Sequence, residues 1–195
     1  MSETGNEAGP ALAWDEERLL AFLDGLGVAW AIHRHPPLHT VAESQRLRGE
    51  LPGAHVKNMF LKGAKGELWL VTCLEDRRVH IRDLEKTLGA RKMSFGKPEL
   101  LLARLGVAPG AVTPLAMIGA RPPASDEKPV HLAMDGALLE AAQVNCHPLH
   151  NEATITLAAK DLLRALRHAD CAPLILDFDV LEAQAARREA EKGSA

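Results

Sequence analysis

Residues 55–74 carry the sequence HVKNMFLKGAKGELWLVTCL, in which two apolar runs flank a Gly-Ala-Lys-Gly segment. Apolar runs of this length on either side of a short, glycine-containing loop are typical of a β-hairpin. Lys57 and Asn58 interrupt the first run, and polar side chains in a buried strand are destabilising unless they are paired or used. The segment therefore predicts a central hairpin that also carries part of a functional site.

The rest of the chain mixes short helical and short extended patterns without a regular alternation. Helical periodicity, caps and glycine stops predict helices over 15–26, 40–47, 83–88, 97–105, 136–141 and 158–168. Short apolar runs predict strands over 28–32, 115–118, 130–134, 144–147, 154–157 and 174–178. This order indicates an α+β fold, a single domain in which a mixed sheet of many short strands is surrounded by short helices.

The composition supports one domain and excludes several functions. The chain has 195 residues, of which 47% are hydrophobic, and this is enough for one domain with a substantial core. A net charge of −3, no tyrosine and 4% aromatic residues disfavour a global attraction to nucleic acid and a platform of stacked bases. The three cysteines are widely spaced and form no CxxC pair, so we expect reduced thiols, no metal and no cofactor.

The two ends of the chain differ from the middle. Residues 1–13 are acidic and rich in small side chains, without the basic and apolar regions of a signal peptide, so we expect a disordered leader. Residues 181–195 are rich in alanine, glutamate and arginine, which predicts a C-terminal tail that forms a frayed helix. No apolar run reaches the roughly 20 residues of a membrane span. We therefore expect a cytoplasmic protein whose folded domain spans residues 14–180.

Three further segments combine polar side chains with turn-forming residues. His35-Pro36-Pro37 must form a loop, because two consecutive prolines cannot continue a strand ladder. Residues 110–114 form a loop of the pattern GxxxP, and residues 145–149, NCHPL, place a histidine on a short segment that ends at proline. Polar intrusions that lie far apart in sequence suggest one shared site.

The chain resembles the YbaK/ProX family in the order of four motifs. They are the three segments above and the run Lys57-Asn58-Met59-Phe60-Leu61. This family comprises relatives of the insertion (editing) domain of bacterial prolyl-tRNA synthetase. The resemblance covers roughly residues 15–179 and is greatest to the branch of free-standing alanyl-tRNA(Pro) deacylases, called ProXp-ala or PrdX. It implies trans-editing, the hydrolysis of mischarged aminoacyl-tRNA(Pro), with alanine as the amino acid. Such a second step is needed because each missing methylene changes binding by only about 1–3 kcal/mol.

The resemblance also implies catalytic roles for three residues. Lys57 matches the essential lysine of the family, which can anchor the 3′-terminal phosphate or stabilise charge on the ester carbonyl oxygen. His147 can orient a water molecule or hold the carbonyl or α-amino group. Asn58 is predicted as the third catalytic residue. Regular alternation places Asn58 on the opposite face from Lys57, so the two serve one site only if the strand is twisted or bulged there.

The same resemblance implies the substrate-binding residues. The loop that contains Gly110, Thr113 and Pro114 is expected to direct backbone N–H groups at the ester carbonyl, although these residues also suit an ordinary turn. The wall of the small pocket is expected to include Met59, Phe60, His35 and Pro36. A rigid connector is the alternative interpretation of the two prolines after His35.

Contact with RNA must be local, because the chain as a whole is acidic. Basic residues outnumber acidic ones between positions 77 and 97, and this excess predicts contacts to acceptor-stem phosphates. The residues that we select for this contact are Arg78, Arg82, Arg91 and Lys92. A charge run can equally be a solvated face.

The predicted partner is the acceptor end of mischarged tRNA(Pro), with transient contact to prolyl-tRNA synthetase or an elongation factor left open. We expect a monomer or a weak dimer. Two other functions stay open at this point. One is the same chemistry on another amino acid, such as cysteine on tRNA(Pro) in the YbaK branch. The other is a non-catalytic module that binds tRNA or another nucleic acid with the same fold.

Overall fold

The computed structural model describes residues 14–37, 51–125 and 127–193. In these residues the α-helices are α1 Glu16–Gly25, α2 Ile81–Thr87, α3 Pro98–Leu105, α4 Gly136–Glu140, α5 Ala159–His168 and α6 Phe178–Gly193. The strands are β1 Trp30–Arg34, β2 Ala54–Lys62, β3 Leu68–Leu74, β4 Ser94–Phe95, β5 Val130–Asp135, β6 Gln143–Cys146, β7 Ala153–Ala158 and β8 Leu174–Leu176. A 3-10 helix spans Pro114–Met117. The predicted helix over 40–47 lies outside the described residues.

The described strands form one mixed sheet, and the predicted α+β fold is confirmed. Seven strands follow the order β1-β7-β6-β2-β3-β5-β8, and β4 pairs with β2 beside this path. The pairs β1–β7, β7–β6, β2–β3 and β2–β4 are antiparallel, whereas β6–β2, β3–β5 and β5–β8 are parallel. The predicted hairpin of β2 and β3 therefore stands at the centre of the sheet.

Side chains alternate strictly along β2, and this divides the core into two layers. Phe60 packs in the larger cluster together with buried leucines of α1, α3, α4 and α5. Met59 and Leu61 pack on the other face with Leu84 of α2 and Phe178 of α6. Strict alternation is the expected behaviour of a strand that is buried on both faces. The hairpin is thus the shared wall of both layers.

Local sequence signals fix the limits of several helices. The carboxylate of Asp15 accepts the N–H of Arg18 at 2.9 Å and so caps α1. Pro98 stands in the first turn of α3, where a missing N–H has no consequence, and Gly106 ends that helix at φ +69°. No described helix combines the length and the apolar character that crossing a bilayer requires.

Two predicted elements differ from the structure. The strand predicted over 115–118 is wrong, because these residues continue the 3-10 helix that begins at Pro114. The Thr113 hydroxyl caps this helix by accepting the N–H of Leu115 at 3.4 Å, and Pro114 provides a helical φ at its start. The tail expected to fray from residue 181 belongs to α6, in which Leu181 and Ala185 are buried.

Candidate active site

Lys57 projects from β2 and its ammonium group is held by backbone carbonyls. Its Nζ donates a hydrogen bond to the carbonyl oxygen of Glu75 at 3.1 Å and another to the carbonyl oxygen of Arg77. Both partners are neutral, so they orient the ammonium without cancelling its charge. The side chain is half-buried, directly across from Cys73 on β3. An oriented, partly desolvated cation of this kind can stabilise an anionic group of a ligand.

His147 follows β6 directly and presents one ring nitrogen as an acceptor. Its Nδ1 lies 3.1 Å from the carbonyl oxygen of Ala153. Since a carbonyl oxygen only accepts, Nδ1 carries the proton and Nε2 is the basic nitrogen of the neutral ring. Burial lowers the pKa of His147 below its ordinary value of 6.5, which keeps the imidazole neutral at pH 7. The ring can therefore accept a hydrogen bond from water or an amine.

The strand register brings Lys57 and His147 to the same part of the sheet. β2 and β6 are parallel, with Ala54 paired to Val144 and His55 paired to Asn145. Lys57 follows this pairing by two residues on β2, and His147 follows it by two residues after Asn145, so both residues lie just beyond the same end of the β2–β6 ladder. These two residues are 90 positions apart in sequence.

The edge of β2 that pairs with β6 contains a gap between its two neighbours. β6 pairs with β2 at Ala54 and His55, and β4 pairs with it at Leu61 and Lys62. Among the described strands, none pairs with β2 along the edge between these two contacts. Lys57 lies on this stretch. In the part of the chain that the structure describes, this stretch of β2 therefore has a strand partner on the β3 side alone.

His35 lies near His147, as its sequence position predicts for a residue of the pocket wall. Its Nε2 lies 3.1 Å from the hydroxyl of Thr154, and its ring centroid lies 6.5 Å from that of His147. Its Nδ1 lies 2.9 Å from the carbonyl oxygen of Pro36, which is exposed. The structure therefore brings together His147 and His35 from two separate segments, whereas Lys57 lies on β2 just beyond its pairing with β6.

Asn58 lies on the opposite face of the sheet from Lys57. The register of β2 with β3 is regular through this point, without the bulge that would let both side chains face one site. The Asn58 Nδ2 donates to the carbonyl oxygen of Val112 at 2.8 Å, and its Oδ1 accepts from the Thr72 hydroxyl at 2.8 Å. These contacts fasten the 110–114 loop to the centre of the hairpin. The structure thus separates Asn58 from the Lys57 side chain.

The 110–114 loop approaches the segment that follows His147. Gly110 is exposed and adopts φ +88°, a conformation that favours glycine. A Cβ atom at Gly110 would lie 3.6 Å from Nδ2 of Asn151, so the loop borders the β6–β7 connection. Thr113 and Pro114 are buried and begin the 3-10 helix. Only the first part of the predicted binding loop therefore reaches the surface.

Met59 and Phe60, which the sequence predicts in the pocket wall, are core residues of the hairpin. Their exposed fractions are 7% and 4%, and they pack in the two different layers of the core. A Cβ atom at Gly96 would lie 2.4 Å from a ring carbon of Phe60, so that glycine allows the ring to pack closely. These two side chains are part of the scaffold that holds Lys57 and Asn58.

The predicted RNA-binding residues Arg78, Arg82, Arg91 and Lys92 are all exposed, on or beside α2. Another basic side chain of this region, Arg77, turns inward instead. Its Nε lies 2.9 Å from Oδ2 of the buried Asp135, and its Nη1 pairs with Asp179 and Glu182 of α6. Carboxylates from α6 thus reduce the basic excess that the sequence of this segment predicts.

Sequence reasoning missed a buried polar network beside the site. The Thr156 hydroxyl donates to Oδ1 of Asn145 at 2.5 Å. Nδ2 of Asn145 donates to the carbonyl oxygen of Pro52 at 3.0 Å, and it also lies 3.4 Å from Nε2 of His55. A signal was present in β7, where Thr154 and Thr156 alternate with apolar residues. Such alternation predicts one polar face, but it does not predict the partners.

The loop after His147 is tied to the first helix. His150 Nε2 lies 2.6 Å from the carboxylate of Glu16, which also forms an ion pair with Arg34 of β1. Burial alone would raise the pKa of Glu16, but hydrogen bonds from Arg34 and His150 bring it below its ordinary value. No cluster of three or more potential metal ligands occurs within residues 14–37, 51–125 and 127–193.

Comparisons with known proteins identify the family of this chain and agree with its fold. The model of the aminoacyl-tRNA editing domain matches residues 35–165. Prolyl-tRNA synthetase associated domain-containing protein 1 of Bos taurus is 36% identical over 169 residues, which cover 84% of this chain and 93% of that protein. The prolyl-tRNA editing protein ProX of Acetoanaerobium sticklandii is 28% identical over 153 residues, 78% of this chain and 90% of that protein.

A solved structure has the same fold. It is the crystal structure of a protein proposed to be a trans-editing enzyme for prolyl-tRNA synthetase, with a TM-score of 0.63 and 22% identity. The match covers 86% of this chain and 98% of that one. The sheet and the site therefore define a protein of the tRNA-editing class. This chain belongs to the aminoacyl-tRNA editing domain family, and its membership of the YbaK/ProX group is confirmed.

Proposed function

We propose that this protein hydrolyses the ester bond of mischarged aminoacyl-tRNA(Pro), and that alanine on tRNA(Pro) is its preferred substrate. The observation that carries the proposal is the position of Lys57 and His147 just beyond the same end of the β2–β6 ladder, with the Lys57 ammonium oriented by backbone carbonyls. Membership of the editing-domain family supports the reaction, and the name of the ProX relative supports the tRNA. The alanine preference rests on the sequence motifs alone.

The chemistry needs little beyond positioning and charge stabilisation, because an aminoacyl ester is already activated. A water molecule attacks the ester carbonyl carbon, and the new C–O bond gives a tetrahedral intermediate with a negative oxygen. The bond to the terminal ribose oxygen then breaks, and that oxygen takes up the proton that the water gives up. The free 2′-hydroxyl of the ribose is suitably placed on the substrate to carry this proton.

Lys57 supplies positive charge in this mechanism. Its ammonium is oriented by two carbonyl oxygens and keeps its charge for the terminal phosphate or for the developing oxyanion. Neutral His147 accepts a hydrogen bond through Nε2, from the attacking water or from the α-amino group. His35, next to the His147 ring, limits the space around it.

Asn58 acts through the loop in this proposal. Its bond to the carbonyl of Val112 fixes the loop, and Gly110 at the exposed end of the loop borders the connection after His147. The loop then presents its backbone to the aminoacyl group. The role that we assign to Asn58 is therefore positioning rather than contact with the ester.

The acceptor stem of the tRNA is proposed to lie over α2, where Arg78, Arg82, Arg91 and Lys92 are exposed. Phosphate contacts supply most of the affinity of such a complex but little of its specificity. Size exclusion in the pocket supplies the specificity instead. A cavity that fits alanine rejects the pyrrolidine ring of proline by steric clash, so the correctly charged tRNA survives.

The direct test is deacylation of a panel of tRNA(Pro) molecules charged with alanine, cysteine, serine or proline. We expect fast loss of alanine, slower loss of the other two wrong amino acids, and no loss of proline. Fastest loss of cysteine would assign the protein to the alternative substrate. Tight binding of every tRNA without hydrolysis would indicate a non-catalytic module and would refute the proposed reaction.

A further inference from the structure

The turn that holds the Lys57 ammonium is itself fixed by charged groups. It spans residues 74–78, between β3 and α2, and it supplies the two carbonyl oxygens that accept from Lys57, those of Glu75 and Arg77. The N–H of Glu75 donates to the carbonyl of His55 at 3.0 Å, so the turn begins against β2. The position of the ammonium therefore depends on the position of this turn.

The Arg77 guanidinium joins the turn to two distant elements. Its Nε donates to the Asp135 carboxylate, at the end of β5, at 2.9 Å. Its Nη1 pairs with Asp179 and, at 3.4 Å, with Glu182, both on α6. The Arg77 side chain is only 12% exposed and that of Asp135 only 1%, so screening by solvent is weak here. The hydrogen bonds that Arg77 donates to Asp179 and then to Asp135 raise the pKa of Arg77 well above its ordinary range, so it stays charged.

Glu182 contacts the turn in a second way. Its Oε1 accepts the backbone N–H of Arg78 at 2.8 Å, while its Oε2 faces the Arg77 guanidinium. One carboxylate of α6 thus binds both the backbone and the side chain of the turn. Helix α6 begins at Phe178, outside the residues 35–165 that the family model matches. A helix beyond the matched domain therefore supports the turn that orients the Lys57 ammonium.

We propose that Arg77 and Glu182 are positioning residues for Lys57, and that α6 thereby sets the activity of the site. The inference rests on the proposed function, in which Lys57 contacts the substrate. Fixing the turn holds the two carbonyls at hydrogen-bond distance from Nζ, and a small displacement of a group that stabilises charge lowers the rate strongly. Arg77 and Glu182 act only through the turn.

Glu182 is the residue to change, because Arg77→Ala would leave the buried Asp135 without its cation and could prevent folding. The matched control is Glu189→Ala. Glu189 is an exposed carboxylate on the same helix and lies 3.8 Å from Nε2 of His80, just before α2, so its loss removes the same charge from α6 without leaving a buried ion unpaired. His80 lies outside the 74–78 turn, so a general effect of the charge or docking of the helix appears in both variants.

Two measurements on the full chain test the proposal. The first is NMR of protein that contains nitrogen-labelled lysine, in which Lys57→Arg identifies the Lys57 signal by removing it. The ammonium protons of Lys57 exchange slowly with water while they donate hydrogen bonds to both carbonyls. The second is single-turnover deacylation of alanyl-tRNA(Pro). For Glu182→Ala we expect loss of the slow-exchanging Lys57 signal and a rate about tenfold lower. For Glu189→Ala we expect both properties of the wild type.

The possible results separate this proposal from the proposed function. An unchanged Lys57 signal in Glu182→Ala would overturn the positioning role, whatever the rate. Equal losses of rate and of the Lys57 signal in Glu182→Ala and Glu189→Ala would also overturn it. Loss of the Lys57 signal in Glu182→Ala alone, in a protein that hydrolyses no aminoacyl-tRNA, would support the positioning of Lys57 and refute the proposed function.

Discussion

At the scale of single residues, the site depends on how backbone carbonyl groups orient polar side chains. Two carbonyl oxygens accept hydrogen bonds from the Lys57 ammonium, and one carbonyl fixes the neutral His147 imidazole. A carboxylate partner would stabilise Lys57 more strongly, but it would also cancel the charge that a ligand needs. Carbonyl partners therefore suit a binding or catalytic cation.

His147 makes the stability of the fold depend on pH. Burial lowers its pKa in the folded chain, so the unfolded chain binds the proton first as the pH falls below 6.5. The stability associated with neutral His147 is thus complete above that pH and is lost as the pH falls through the lowered value. We expect the wild type to lose more free energy of unfolding than His147→Gln between about pH 7 and about pH 5.

Urea unfolding at a series of pH values measures this difference. The matched control is His168→Gln, which removes an exposed histidine on α5. Its pH dependence is expected to follow that of the wild type. Parallel curves for the wild type and His147→Gln would contradict a buried, neutral imidazole at position 147.

At the scale of secondary-structure elements, α2 combines a core face with part of the proposed RNA surface. Leu84 of α2 is buried in the core, while Arg82 lies exposed. Arg91 and Lys92, in the turn that follows α2, are exposed as well. Salt dependence is the property that reports contacts between this surface and acceptor-stem phosphates.

The double variant Arg82→Ala/Arg91→Ala tests this surface. Each lost phosphate contact lowers the slope of log Kd against log salt concentration by roughly 0.7 to 0.9, so the slope is expected to fall by about 1.5. Lys160→Ala, which removes an exposed lysine of α5, is the control and should keep the slope of the wild type. An unchanged slope in the double variant would mean that the tRNA binds elsewhere.

Some of the secondary-structure elements could be predicted from the sequence and others could not. The hairpin was predictable because its apolar runs and its glycine loop are adjacent in the chain. The 3-10 helix at Pro114–Met117 was not, because a short buried apolar run has the same composition in either conformation. The packing of α6 was not predictable either, since Arg77 and its partners Asp135, Asp179 and Glu182 are far apart in sequence.

At the scale of the whole molecule, the sheet order creates the site. β2 lies between β6 on one side and β3 on the other, and β6 runs parallel to β2, so Lys57 and His147 both follow the same end of this pairing. The sequence motifs indicated that Lys57 and His147 share a site, but the parallel register that joins them depends on long-range pairing. The separation of Asn58 from Lys57 followed from simple alternation once the strand proved to be regular.

The most direct test of the account is the rate at which Lys57→Ala hydrolyses alanyl-tRNA(Pro). Lys62→Ala is the matched control, because Lys62 is an exposed lysine on the same strand. We predict that Lys57→Ala folds like the wild type and is slower by about 100-fold, whereas Lys62→Ala keeps the wild-type rate. A folded Lys57→Ala protein within about twofold of the wild-type rate would contradict the central role of Lys57.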